Sequence, residues 1–266
     1  MLIRFSTIVS LVVLSLLLIG SGEAQDREDL GRDMKMMPPN GPFWEYGNVV
    51  MRRKSKKAGM APVVFPHWSH RAKYTCRVCH LELEFSMNIG ETGITREQYL
   101  AGKFCGACHD GKTAFTVQSG TAPNCDKCHM KDTQPLEKRF NEFAKGLPKS
   151  SYGNGINWSE ALVNEMITPI NSIISKRTDM ELPNKLKAPI KMKSYSQRGD
   201  VIFSHEAHFA ELDCASCHPD IFNIKKRGTK NFDMGSNISR KYCGACHMMV
   251  AFPMNDCSRC HMVAAR

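Results

Sequence analysis

The sequence predicts a mostly irregular fold of short helices and small β-hairpins, built as two copies of one module joined by a helical linker. Three observations predict it. A five-residue motif, Cys-x-x-Cys-His, occurs six times and uses all twelve cysteines. A histidine pair spaced His-x-x-His precedes the first motif of each half, at His67/His70 and His205/His208. Adding 138 to His67, His70, Cys76, Cys79, His80, Cys105, Cys108 and His109 gives His205, His208, Cys214, Cys217, His218, Cys243, Cys246 and His247 without a gap. The third motif then arrives six residues sooner in the second copy. A repeat of this length is a structural unit, so two copies of a three-motif module are predicted.

The six motifs are Cys76–His80, Cys105–His109, Cys125–His129, Cys214–His218, Cys243–His247 and Cys257–His261, with second cysteines Cys79, Cys108, Cys128, Cys217, Cys246 and Cys260. Zinc ribbons and disulfides both explain paired cysteines. Neither explains a histidine directly after the second cysteine in six cases of six, in a chain with only ten histidines. Cys-x-x-Cys-His is the attachment site of c-type haem, two thiols forming thioethers and the adjacent histidine binding iron. The sequence therefore predicts six covalent haem c groups, with His80, His109, His129, His218, His247 and His261 as iron ligands. The paired histidines are of the kind that cap a haem from its other face.

Taken in order, residues 1–24 read as a secretory signal peptide. Arg4 is its positive flank, Phe5–Ile19 its apolar stretch and Gly22-Glu23-Ala24 its cleavage site. The apolar stretch is shorter than the roughly twenty residues a membrane span needs. No other stretch is long and apolar enough, so no transmembrane span is predicted in the mature chain. Residues 25–48 read as an extended arm, with Phe43, Trp44 and Tyr46 as candidate docking residues. Val49–Met51 and Val63–Phe65 flank a basic turn over Arg52–Gly59 and predict a hairpin leading into the first histidine pair. Residues 49–131 make up the first module and 188–266 the second, where Ala188–Phe203 predicts the matching hairpin.

The linker, 132–187, predicts two helices that dock the modules against each other. Leu136, Phe140, Phe143 and Ala144 share one helical face, stopped by Gly146 and Pro148. Asn157 with Glu160 resembles a capping box for a helix over Trp158–Met166, with Ile156 as staple and Pro169 as stop. Gly153-Asn154-Gly155 is a turn, since it lacks the strand, lysine and Ser/Thr of a phosphate loop.

The net charge of +10 invites a nucleic-acid or membrane reading. Counting the haems' own charge, two propionates each against a ferric core, lowers it to about +4 oxidised and about −2 reduced. The basic residues then mainly neutralise haem edges, and no nucleic-acid partner is predicted. Roughly seventy residues for three haems is marginal for a protein core alone, so haem supplies most of the core and regular structure is sparse.

This arrangement resembles the class III c-type cytochromes (the cytochrome c3/c7-like group), in particular the trihaem members and their tandem-module relatives, over about 49–131 and 188–262. The resemblance rests on Phe65-x-His67-x-x-His70 and Phe203-x-His205-x-x-His208, set nine and six residues before the first cysteine. It implies a multihaem cytochrome fold in which His67 pairs with His80, His70 with His109, His205 with His218 and His208 with His247. The small members carry another histidine just before the second motif to cap the third haem. Here 95–104 and 233–242 contain none, so the haems at His129 and His261 lack a second histidine. Some tandem relatives use methionine, which makes Met234 the candidate in the second copy. Arg96 stands at the equivalent place in the first, and Met87 is the nearest candidate there.

Electron transfer is the expected function, because four irons with two imidazoles leave no position for a substrate. The expected partners are other exported redox proteins: cytochromes, and quinol-linked or terminal oxidoreductases. The expected location is the bacterial periplasm, with the cell exterior as the alternative. A competing reading is a haem reductase acting at an iron left open at His129 or His261. A third is a haem-based sensor or structural subunit docking through 43–46.

Overall fold

The structure is a computed structural model of the chain and describes residues 32, 34–88, 90–117, 124–174, 181–194, 198–223 and 233–261. The expected signal peptide, 1–24, lies outside the described residues.

Each half is organised on a two-stranded antiparallel hairpin. In the first, β1 (Asn48–Met51) pairs with β2 (Val63–Pro66), with Val49 opposite Phe65. The β-branched residues at 49, 50, 63 and 64 suit the pleat. The basic turn between them is a short helix, α1 (Arg53–Lys57). β2 runs directly into α2 (His67–Arg71), since Pro66 both ends the strand and precedes the helix. In the second half β3 (Ile190–Met192) pairs with β4 (Val201–Phe203), with Ile190 opposite Phe203. Ser204 then caps the helix carrying the second histidine pair, His205–Phe209, by accepting from the Ala207 amide.

The third motif of each module completes the ribbon. His129 bridges to Val63 and His261 to Val201, each antiparallel. Backbone bonds from Val64 to the Cys128 carbonyl (2.9 Å) and from Ile202 to the Cys260 carbonyl (2.9 Å) hold them there. The six residues missing from the second copy are thus taken out of the loop before the third motif, and its docking position stays the same.

Between the first and second motifs of each module sits a five-residue helix: α3 (Arg96–Leu100) in the first copy and its counterpart Met234–Ile238 in the second. Thr95 and Gln98 form a reciprocal capping box on α3. These helices press on the middle of the second motif. A Cβ on Gly106 would overlap the Tyr99 carbonyl, and one on Gly244 the Asn237 carbonyl. That close approach explains the shared wording Cys-Gly-Ala-Cys-His at 105–109 and 243–247.

The linker differs from the expectation. Its first helix, α4 (Gln134–Ala144), and its second, α5 (Trp158–Val163), form where the apolar pattern places them. Their apolar faces pack on the first module, and the turn between them reaches the second at Gly153, beside Pro253. Leu136, Phe140, Ala144 and Ile156 pack with Val64 and Trp68 into a core that belongs to the first module, rimmed by Trp44, Phe143 and Trp158. Asn157 makes no cap. Its side-chain amide donates to the Glu160 carboxylate instead, 2.9 Å, and α5 ends at Val163, short of Met166. A last short helix, α6 (Asn184–Lys187), leads into β3. The remaining helices follow in order as α7 (His205–Phe209), α8 (Met234–Ile238) and α9 (Gly244–His247).

The modules meet through other residues. The arm crosses to the second module, where Met37 and Tyr46 pack on Met248. The Tyr46 hydroxyl donates to the Ala251 carbonyl (2.7 Å), and Asn255 donates to the Pro38 carbonyl. Of the three aromatic candidates in the arm, Tyr46 makes this contact, Trp44 packs on the first module's core, and Phe43 stays exposed.

Replacing Gly106 or Gly244 with alanine forces the short helix off the second motif. We expect a loss of about 1–3 kcal/mol per site, measured as a lower melting temperature of the haem-loaded protein, with Ala107→Gly as the unaffected control.

Candidate haem sites

The paired histidines lie one helical turn apart, at the start of α2 and of α7, so they share a face. One phenylalanine contacts both rings of each pair. Phe65 meets His67 edge-on (4.8 Å between ring centres, 88°) and lies against His70 (4.3 Å). Phe203 repeats this with His205 (4.9 Å, 87°) and His208 (4.6 Å). This is the physical content of the Phe-x-His-x-x-His wording: the ring splays the two imidazoles toward different sites.

Each motif histidine is anchored through Nδ1 to a backbone carbonyl. His80 is held by Phe85 (2.9 Å), His109 by Phe115 (2.9 Å), His218 by Phe222 (2.6 Å) and His247 by Phe252 (2.8 Å), all a few residues downstream. The third motifs reach back to their hairpins instead: His129 to Ala61 (2.7 Å) and His261 to Gly199 (3.0 Å). Among the paired histidines, His67 is held by Gly47 (2.9 Å), His70 by Pro66 (2.9 Å) and His208 by Ser204 (2.7 Å). A carbonyl only accepts, so each of these nine rings must carry its proton on Nδ1 and turn the Nε2 lone pair outward. That tautomer is the one a metal requires, and the same second-shell bond raises ligand basicity.

Three rings of the histidine pairs also lie close to motif histidines. His67 and His80 lie parallel, 6.5 Å between centres at 7°. His70 and His109 are 6.3 Å apart, and His208 and His247 are 6.2 Å apart. Two imidazoles bound to one metal at about 2 Å, each ring centre roughly 1 Å behind its nitrogen, have centres about 6 Å apart. Burial first, and then the charge of His218 and of His208, lower the pKa of His205. Burial pushes the pKa of His67 down to about 3 and that of His247 to about 4, and lowers those of His70 and His80. All four are therefore neutral, with the lone pair available. The twelve cysteine thiols are unpaired with one another. This donor set, paired thiols beside an oriented imidazole with a second imidazole facing it, fits covalent haem.

Met234 is the first residue of α8 and is 42% exposed. Met87 is half-buried in the loop after His80. Met248 is occupied as the packing partner of Met37 and Tyr46, and Met262 lies outside the described residues.

Burial raises the pKa of Cys76, Cys79, Cys105, Cys243 and Cys246, and nearby thiols raise it further. Cys128 acts on Cys105, Cys105 and Cys108 on Cys79, and Cys246 on Cys76 across the module boundary. Within the second module Cys217 acts on both Cys246 and Cys243, and Cys260 on Cys243. Charged pairs bracket the boundary. Arg71 binds Glu211 (3.3 Å), whose carboxylate also lies 3.6 Å from the Cys76 sulfur. Arg77, inside the first motif, lies between Glu82 (3.5 Å) and Asp213 (3.3 Å) and donates its amide to the Glu211 carbonyl. The sequence reading missed these pairs, because nothing in the repeat marks residues that act between copies.

Comparison with known proteins adds the family. The family model described as cytochrome c7 and related cytochrome c matches residues 63–130 and 201–262. A solved c7-type three-heme cytochrome domain is 37% identical, over 31% of this chain and 91% of its own, with a TM-score of 0.27. The C-terminal hexaheme fragment of GSU1996 is 25% identical over 81% of this chain and 96% of its own, TM-score 0.26. The N-terminal hexaheme fragment of the same protein is 26% identical over 82% and 99%, TM-score 0.25. No curated protein matches the chain. The family rests on the sequence match over both regions, not on these superpositions. All six Cys-x-x-Cys-His motifs fall inside the two matched regions, and the chain belongs to the cytochrome c7 and related cytochrome c family, with six covalently attached haem c groups.

Proposed function

We propose that the chain is an exported electron carrier built from two trihaem modules, 49–131 and 188–266. The observation that carries this is the set of facing imidazoles 6.2–6.5 Å apart, each ring locked by a carbonyl on its far side. Haem c, when bound, takes up and releases one electron at its iron. In this reading His67 and His80, His70 and His109, His205 and His218, and His208 and His247 are the axial pairs. His129 and His261 each hold one side of a third haem, with Met87 and Met234 as the candidate second ligands. A site filled on both faces has no place for a substrate, which favours transfer over catalysis.

The packing at the module boundary supports a crossing between the copies. The site at Cys76–His80 adjoins the second module near both Cys214, through Arg77 and Asp213, and His247, through Arg71 and the Val250 carbonyl. Arg71, Arg77, Glu211 and Asp213 hold that crossing in register. Covalent haem attachment supports export, with the periplasm as the favoured location, and exported cytochromes and quinol-linked or terminal oxidoreductases are the fitting partners. Among the described residues no helix is long and apolar enough to cross a membrane.

The intact mass of the purified protein should equal the processed chain plus six haems, with no thiol open to alkylation; four or five haems would remove a site from the scheme. If Met234 caps the haem at His261, Met234→Ala creates a high-spin ferric signal from one haem, and Met234→His lowers one potential and abolishes the sulfur-to-iron charge-transfer band. Unchanged spectra would make Met234 a packing residue. Asp213 also caps the turn of its own motif, so Asp213→Asn keeps the cap and removes one charge from the crossing. We expect about 1 kcal/mol of lost stability from weakening one charge-assisted hydrogen bond of Arg77, which keeps Glu82, and reduction of the six haems in two separate phases rather than one, read by stopped-flow absorbance.

A further inference from the structure

His205 is the exception among the ten histidines. Its Nδ1 is buried and has no hydrogen-bond partner, whereas the other nine each meet a carbonyl at 2.6–3.0 Å. Its counterpart His67 is held twice by one residue, through its amide and through Nδ1, both to the Gly47 carbonyl.

The cause is one position in the hairpin. Val49 stands opposite Phe65, and Ile190 opposite Phe203, so the residue two before the strand partner is Gly47 in the first copy and Ala188 in the second. Gly47 has φ +90° and from that conformation aims its carbonyl at the ring. An alanine rarely adopts it, and Ala188 is extended at φ −71°, ψ 134°. The second copy has therefore lost the lock on this ring while keeping the Phe203 contact. The motif it faces is also attached at the surface: Cys214 is the exposed member of the twelve cysteines.

Resting on the axial pairs proposed above, we infer that His205 is a displaceable ligand and that the haem at Cys214–His218 binds a small diatomic π-acceptor, of the carbon monoxide or nitric oxide class, in its place. A ligand without its second-shell bond loses about 10–100-fold in metal affinity. The unanchored ring is held by packing such as the Phe203 contact and not by a hydrogen bond to Nδ1, and the exposed attachment gives a small neutral molecule access. The locked His67 site excludes the same ligand.

The test uses the intact hexahaem protein, reduced under argon and titrated with carbon monoxide, counting bound haems from the Soret change against total haem. Wild-type protein binds at least one equivalent; none overturns the inference. His205→Ala should leave the count unchanged and speed binding of that haem by at least tenfold, since no ligand has to leave. A count raised by one would mean that His205 holds as firmly as His67, and the inference fails. His67→Ala should raise the count by one; if it does not, the axial pairing itself is wrong. Ala188→Gly, which restores the permissive residue, should slow carbon monoxide binding at one haem by at least tenfold. Should His205→Ala lose its haem, His205→Met keeps a weak ligand and serves the same comparison.

Discussion

The hydrogen bond from an imidazole Nδ1 to a backbone carbonyl is the constraint on which the rest of this structure depends. A neutral imidazole has two tautomers, and only the one protonated on Nδ1 presents Nε2 to a metal. A carbonyl settles the choice because it has no proton to give. Much of the regular structure exists to deliver those carbonyls. The hairpins supply Gly47, Ala61, Pro66 and Gly199, and the loops after the first and second motifs close on Phe85, Phe115, Phe222 and Phe252. A chain with so little helix and strand can hold nine rings this well because a carbonyl needs only a fixed turn around it, not a long element.

The protein core is divided in an unequal way. A module of this size buries too little apolar surface to be stable by itself, and each copy borrows from outside the repeat. The first takes α4 and Ile156 from the linker to build the core around Trp68. The second takes Met37 and Tyr46 from the arm that precedes the first module. The segment before one module thus packs on the other, and the segment between them packs back on the first. This interlocking, together with the Arg71–Glu211 and Arg77–Asp213 pairs, ties the copies into one unit.

The sequence made the covalent chemistry legible because six motifs account for all twelve cysteines, and it made the two-module repeat legible because His-x-x-His recurs at a fixed offset; the pairing of the rings came from the resemblance alone. The hairpins and α4 were equally readable from β-branched runs and from the face shared by Leu136 and Phe140. What was not readable was whatever a backbone atom does. No residue type marks the carbonyl of Ala61 as the partner of His129, since any residue at that place offers the same group. The role of the arm was hidden for a related reason. Tyr46 lies next to the first module in sequence, and only the tertiary fold carries it to Ala251. The exception at His205 was visible in principle as Gly47 against Ala188. The two hairpins differ in length, however, so those residues do not align at the 138-residue offset and are matched only by strand register.

The placement of the sites has an electrostatic consequence. Two unit charges about 10 Å apart in a medium of effective dielectric about 20 interact by roughly 1.7 kcal/mol, more than one decade in an equilibrium. Each electron placed on one site therefore raises the cost of the next on its neighbour. The first motif meets the second module at the boundary, where Arg77 pairs with Asp213 and Arg71 donates to the Val250 carbonyl. That crossing holds two guanidiniums, Arg71 and Arg77, against three carboxylates, Glu211, Glu82 and Asp213. Its fixed charge is therefore net negative and opposes an added electron there. The two copies differ further in their ligands: the first module closes on locked histidines and a site at His129, and the second opens onto the unanchored His205 and the site at His261.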